Sequence, residues 1–242
     1  MNALNTIFFD LDGTLLPMQQ DAFLDTYLGL LTKRVSPWGY DPKQLIKALW
    51  FGTGAMMQND GSVPNCRRFW AAFSQKLGPE ALRLEAELAD FYAKDFNATQ
   101  AVLGPKADVK ALLFSLRRKG YGVVLATNPL FPPVAVASRL SWIRLSPSDF
   151  DLVTTYDNSR FCKPHLGYYR DILAKVSREP AQCMMVGNNP VDDMAAADLG
   201  LAVYLLTDYL ENPEGLEIGG YPQGSFADLA AFLGELPALP AG

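Results

Sequence analysis

Five short apolar runs bounded by turn-forming residues punctuate the chain, at Thr6–Phe9, Gly122–Ala126, Leu152–Thr154, Cys183–Val186 and Ala202–Leu206. Runs of this length without an alternating polar face predict strands buried on both sides, as in a parallel sheet. Between and after them, apolar residues recur at helical spacing over Asp108–Lys119, Pro133–Ser141, Gly167–Val176, Asp192–Leu199 and Phe226–Leu236. The alternation predicts an open α/β fold, whose ligands bind beyond the carboxyl ends of the strands. Polar candidates fall at those ends: Asp10 after the first run, Thr127 and Asn128 after the second, and Asn188 to Asp193 after the fourth.

The interval 18–103 breaks this rhythm. Helical spacing runs through "QDAFLDTYLGLLTKR", "PKQLIKALWFG", "CRRFWAAFSQKLG" and "EALRLEAELADFYAKDF", which predicts a separate all-helical module inserted into an α/β domain made of 1–17 and 104–242. Its aromatic residues Trp38, Trp50, Phe51, Trp70 and Phe73 are expected to pack between helices. "GTGAMMQNDGS", residues 52–62, reads as a glycine-rich interhelical loop that could present Met56, Met57, Gln58, Asn59 and Asp60 to a ligand. The glycines there lack the Gly-Lys-Ser/Thr ending of a nucleotide-binding loop and carry no phosphate role. The C-terminal "LPALPAG" reads as a loose tail.

Composition narrows the partners. With 242 residues and 49% hydrophobic content the chain can bury a full core. A net charge of −5 argues against nucleic acid, because phosphate-backbone binding needs clustered Lys and Arg. No apolar stretch approaches a membrane span, and no basic leader precedes the first run, so a cytoplasmic protein with a small-molecule partner is expected. Cys66, Cys162 and Cys183 show no metal-binding or disulfide spacing and read as free thiols in a reducing compartment. His165, the sole histidine, reads as a loop or surface residue, and Arg160 as solvated.

The first run ends in two aspartates. Asp10 and Asp12 lie two apart, sharing one face of an extended chain, and Gly13 allows a sharp bend after them. Two like charges about 4 Å apart repel by about 4 kcal/mol at an effective dielectric of 20, which favours a bound cation or a shared proton. The spacing does not suit a calcium loop, whose sixth position is glycine where this chain has Leu15. Magnesium, held by one or two carboxylates plus water and substrate phosphate, is the better match.

"DLDGTL" at 10–15 resembles the first motif of the haloacid dehalogenase-like hydrolase superfamily. "VVLATN" ending at Thr127 and Asn128 is similar to the second motif, "CKP" with Lys163 to the third, and "MMVGNNPVDDM" at 184–194 to the acidic fourth. The resemblance implies a Rossmann-like catalytic core. It makes Asp10 the nucleophile that forms an aspartyl-phosphate and Asp12 the general acid and base. Thr127 and the Asn128 amide would hold phosphate oxygens, and Lys163 would neutralise charge. Mg2+ would be bound by the Asp10 carboxylate and the Asp12 carbonyl, with Asn188 and Asp193. Asp12 further separates phosphate-ester chemistry from the dehalogenases and phosphonatases that carry another residue there. The long gap from Asp12 to Thr127, 115 residues, makes the helical insert a cap after the first motif. In related enzymes such a cap closes over the site and selects small phosphorylated metabolites.

The fourth motif departs from the family pattern. It reads Gly187-Asn188-Asn189 where Gly-Asp is usual, and acids arrive at Asp192 and Asp193. Asp193 aligns with the later acid, and Asp192 is its substitute. The expectation is a magnesium-dependent phosphatase of a small phosphorylated metabolite. The alternatives are a phosphomutase or phosphotransferase using the same residues, or a non-catalytic phosphate-binding protein with a weakened metal site. Substrate identity and oligomeric state stay open at this stage.

Overall fold

The computed structural model describes residues 4–240. Its centre is a six-stranded, all-parallel sheet in the order β3-β2-β1-β4-β5-β6, formed by β1 (Thr6–Phe9), β2 (Gly122–Leu125), β3 (Leu152–Val153), β4 (Cys183–Gly187), β5 (Ala202–Leu206) and β6 (Gln223–Gly224). The five expected strands form, and a two-residue edge strand, β6, joins them. Successive side chains of β1 point to opposite faces. Ile7 and Phe9 enter one apolar cluster and Phe8 the other, all fully buried. β1 sits between β2 and β4, so the strand order reverses beside it, and the crevice at that switch point lies at the carboxyl ends of β1 and β4.

Residues 20–102 contain no strand. They form α1 (Gln20–Val35), α2 (Pro42–Met57), α3 (Asn65–Leu77) and α4 (Leu84–Ala93), followed by a 3₁₀ segment, Asp95–Val102. Their core residues Phe23, Tyr27, Phe73 and Phe91 belong to the same apolar cluster as Ile7 and Phe9 of the sheet. Trp70 and Phe73 are buried as expected, but Trp38, Trp50 and Phe51 stand out into solvent and do not pack between helices. The segment 52–62 also differs. α2 continues to Met57, because Gly52 provides the flat surface on which Phe69 of α3 rests, and the loop proper begins only at Gln58.

The sheet's other helices are α5 (Val109–Arg118), α6 (Pro133–Trp142), α7 (Leu166–Val176) and α8 (Phe226–Gly234). Their ends are chemically marked. The Asp108 side chain accepts from Ala111 N at 3.0 Å, and Ser225 and Asp228 form a capping box on α8. His165 is exposed, accepts from Gly167 N at 2.9 Å at the start of α7, and stacks on Phe161. The expected helix over 192–199 is a 3₁₀ helix, Met194–Leu199. The C-terminal segment is not loose as far as it is described: Leu239 N donates to Lys119 O at 2.7 Å and Tyr121 donates to Pro237 O at 3.0 Å. No helix among the described residues is long and apolar enough to cross a membrane.

Candidate active site

Asp10 is the first residue past β1, and its amide still donates to Val186 O at 2.9 Å, so the ladder holds it in place. The chain then folds back on itself, with Leu16 N bonded to Leu11 O and Gly13 N to Leu16 O at 2.8 Å each. Gly13 has φ +76°, and a Cβ there would lie 2.2 Å from Asn188 Nδ2, so both the turn and the close approach of β4's loop require glycine. Gly187 is constrained from the other side, since a Cβ would lie 2.1 Å from the Asp193 carboxylate.

Four chain segments converge on one cleft of about 130 Å³. Its wall includes Asp10, Asp12, Thr127, Asn128, Lys163, Asn188, Asp192 and Asp193, so every site residue expected from the sequence is there. Lys163, almost fully buried, donates to Asp10 Oδ1 at 2.8 Å and to Asp193 Oδ1 at 2.6 Å. Burial works against its charge, but Asp10 and Asp193 outweigh it and hold its pKa well above the usual lysine value. Burial pushes the Asp193 carboxyl up to about 7, with Lys163 pulling it down and Asp10 pushing it further up. The second oxygen of Asp193 accepts from Asn189 N at 3.0 Å, so both are engaged.

Asn128 bridges two motifs: its Oδ1 accepts from Lys163 N at 3.3 Å and its Nδ2 donates to Asp192 at 3.1 Å. The Thr127 carbonyl is fixed by Thr154 Oγ1 at 2.7 Å and Tyr168 OH at 2.9 Å, whereas its hydroxyl has no hydrogen-bond partner among the described residues. Asn188 accepts from Thr14 at 3.3 Å and donates to Tyr209 O at 2.6 Å.

Asp12 differs from Asp10 in its surroundings. Burial raises its pKa first, Arg139 opposes this, and the nearby Asp10 raises it again. Arg139 of α6, with no solvent exposure, donates to Asp12 Oδ2 and lies 4.4 Å from the centre of the Phe131 ring. No motif named Arg139. The signal was available, since Ala135, Val136, Arg139, Leu140 and Trp142 form the buried stripe of α6, and an arginine in an apolar stripe implies a buried anion. Glu211 was missed as well. It lines the cleft from the coil after β5, its amide donates to Asn188 O at 2.9 Å, and burial raises its pKa. No periodicity or spacing in that coil marks it.

Five carboxylates, Asp10, Asp12, Asp192, Asp193 and Glu211, thus face the cleft against Lys163, with Arg139 behind Asp12. This acid excess suits a hard cation. Among the described residues no three Asp, Glu, His or Cys side chains are grouped to hold a metal by themselves. Carbonyl, water and ligand oxygens would therefore complete a coordination shell, which is the arrangement magnesium accepts.

The sequence profile of haloacid dehalogenase-like hydrolases matches residues 4–200. A glyceraldehyde 3-phosphate phosphatase of Methanothermobacter thermautotrophicus is 28% identical over 120 residues, covering 49% of this chain and 51% of that protein. The chain thus spans about half the length of that relative. A HAD phosphatase from Thermococcus onnurineus superposes over 98% of this chain and 100% of its own, with TM-score 0.59 and 18% identity. A 2-haloacid dehalogenase from Pseudomonas syringae pv. tomato superposes over 96% and 98%, with TM-score 0.60 and 18% identity. At such identities the likeness is one of fold.

Proposed function

The chain belongs to the haloacid dehalogenase-like hydrolases, and from that membership we propose that it is a magnesium-dependent phosphatase acting on a small phosphomonoester through an aspartyl-phosphate. The observation that carries this reading is the unlike pair at the end of β1. Asp10 is held by a charged lysine, while the carboxyl of Asp12 is shifted toward its protonated form by burial. Two neighbouring carboxyl groups with such different partners are suited to separate roles, one as nucleophile and one as proton carrier.

In this reading the Asp10 carboxylate attacks phosphorus, and the bond from phosphorus to the ester oxygen breaks. Asp12 gives its proton to the departing alkoxide and then takes one from the water that hydrolyses the acyl phosphate. Thr127, through its unpaired hydroxyl, and the Asn128 amide would hold phosphate oxygens, with Lys163 offsetting the charge that gathers on the phosphoryl group. Arg139 orients Asp12. Asp10, the Asp12 carbonyl and the Asn188 side-chain oxygen would hold magnesium, with Asp193 or Asp192 as the further acid. When bound, the ion would offset repulsion between an anionic nucleophile and an anionic ester. We read residues 18–103 as the cap that covers this site.

The test is phosphate release from a panel of phosphomonoesters with and without magnesium, beside Asp10→Asn. Magnesium-dependent release by the parent and a loss of at least about a thousandfold in a folded Asp10→Asn protein are expected. Retained turnover in that variant would sink the mechanism.

A further inference from the structure

Beside the cleft, and sharing Gln20, Leu130, Phe131 and Glu211 with its wall, lies a cavity of about 560 Å³, bounded by α1 to α4 on one side and by the loops after β2 and β3 on the other. Its size is that of a pocket for an organic ligand. With a phosphoryl group at Asp10, this adjoining cavity is the larger and more apolar of the two spaces that share lining residues with the cleft, and so the one suited to an organic alcohol portion.

The lining is unusual for a site that handles anions. Seven aromatic rings contribute to it, and none of its residues is Lys, Arg or His. Four carboxylates do contribute: Asp21, Glu85, Asp157 and Glu211. The hydroxyls of Tyr27 and Tyr92, both buried, bond each other at 2.8 Å, so the rings present carbon to the cavity more than unpaired donors. Trp50 leaves 47% of its surface exposed at this wall, an aromatic face with no protein partner covering it. A second phosphate or a carboxylate on the alcohol would meet negative charge here and find no cation. A ring or an ammonium group would meet aromatic faces, and the ammonium would also meet carboxylates.

We propose that the substrate is a phosphomonoester of a largely apolar, ring-sized alcohol that bears a positive charge, as opposed to a phosphorylated hydroxy acid or a bisphosphate. This rests on the phosphatase reading above. Selectivity then arises from Trp50 and the other rings together with the acidic rim, while Asp10 and Asp12 remain indifferent to the alcohol.

The experiment compares kcat/KM for tyramine phosphate with that for its counterpart carrying a carboxyethyl chain in place of the aminoethyl chain. Glycerol phosphate serves as a small neutral ester and acetyl phosphate as a minimal reference. The aminoethyl ester is expected to lead the carboxyethyl ester by about tenfold or more, equivalent to about 1.4 kcal/mol, and to lead glycerol phosphate. In Glu85→Lys and Asp157→Lys, both at exposed positions, the gap between the charged pair should narrow or reverse. Equal or inverted preference in the parent, with acetyl phosphate still hydrolysed, overturns this inference and leaves the phosphatase reading standing. An unchanged gap in both folded lysine variants likewise overturns the role of the acidic rim. Failure to hydrolyse any of the four compounds overturns this inference, while the phosphatase reading is decided by the broader panel described above.

Discussion

Arg139 and Asp12 hold each other. The guanidinium has no access to solvent, and its Nε and Nη2 find no hydrogen-bond partner among the described residues, nor does Asp12 Oδ1. The contact between Arg139 and Asp12 is therefore what holds the guanidinium and the Asp12 carboxyl in place. Removing one member of a buried pair costs about 3–5 kcal/mol because the other is left uncompensated. The fifth of the Asp12 side chain that faces the cleft softens that cost. Arg139→Met should lower stability by about 3 kcal/mol in urea unfolding. Combined with Asp12→Asn it should cost less than the sum of the single changes, by about 1–3 kcal/mol. Strict additivity would mean the pair does not interact. At this scale Asp10, Asp12, Thr127, Asn128 and Asn188 were readable because each follows closely on a strand end, and Lys163 and Asp193 because their short runs resemble the family's third and fourth motifs. Arg139 was not, since its partner is 127 positions away and only the packing of α6 on the sheet brings them together.

One of the junctions between the helical stretch 20–102 and the rest of the chain lies at the N-terminal end of α3. At the start of α3, Asn65 N donates to Ser159 O and Cys66 N to Tyr156 O, both at 2.9 Å, so amides that a helix leaves unpaired are satisfied by carbonyls of the core. The fully buried Asn65 side chain also reaches Cys162 Sγ at 3.3 Å and accepts from Asn59 Nδ2 at 2.8 Å, which orders the loop before it. α2 and α3 meet across Gly52. A Cβ there would lie 2.7 Å from the Phe69 ring and 3.3 Å from its carbonyl oxygen. Alanine would gain about 1 kcal/mol in helix propensity, yet Gly52→Ala should destabilise by about 1–2 kcal/mol, because the backbone contact cannot rotate away. A raised thermal midpoint would show that the ring simply yields. Read alone, the glycines of 52–54 suggest a loop. In the fold, Gly52 marks a close helix crossing, a distinction that depends on a partner helix the local sequence does not contain.

The molecule as a whole carries a store of buried weak acids. Burial pushes the thiols of Cys162 and Cys183 up to about 12 and the hydroxyl of Tyr27 up to about 12. Unfolded, the thiols ionise near 9 and the phenol near 10. Above about pH 9 the unfolded chain therefore binds fewer protons than the folded one, and stability must fall as pH rises. It is complete below the unfolded values and is lost progressively toward about pH 12. Urea midpoints measured on either side of pH 9 should decline on the alkaline side. An alkylating reagent near neutrality should modify Cys162 and Cys183 slowly in the native protein and quickly after unfolding. A midpoint that holds steady through this range would contradict the burial of these groups.

Strand positions, the parallel sheet, the helical nature of 20–102 and the motif residues of the cleft were all determined by the sequence itself. The elements depend on local periodicity, and the motif residues on an ordered set of short runs that resembles the family's motifs. The tertiary structure alone decided that Arg139 anchors Asp12, that Glu211 adds a fifth carboxylate, and that seven rings enclose a cavity without a cation. It also decided that Leu239 pins the C-terminal segment to Lys119. These features join residues far apart in the chain, and their physical content, a charge buried or a face covered, exists only once the elements pack.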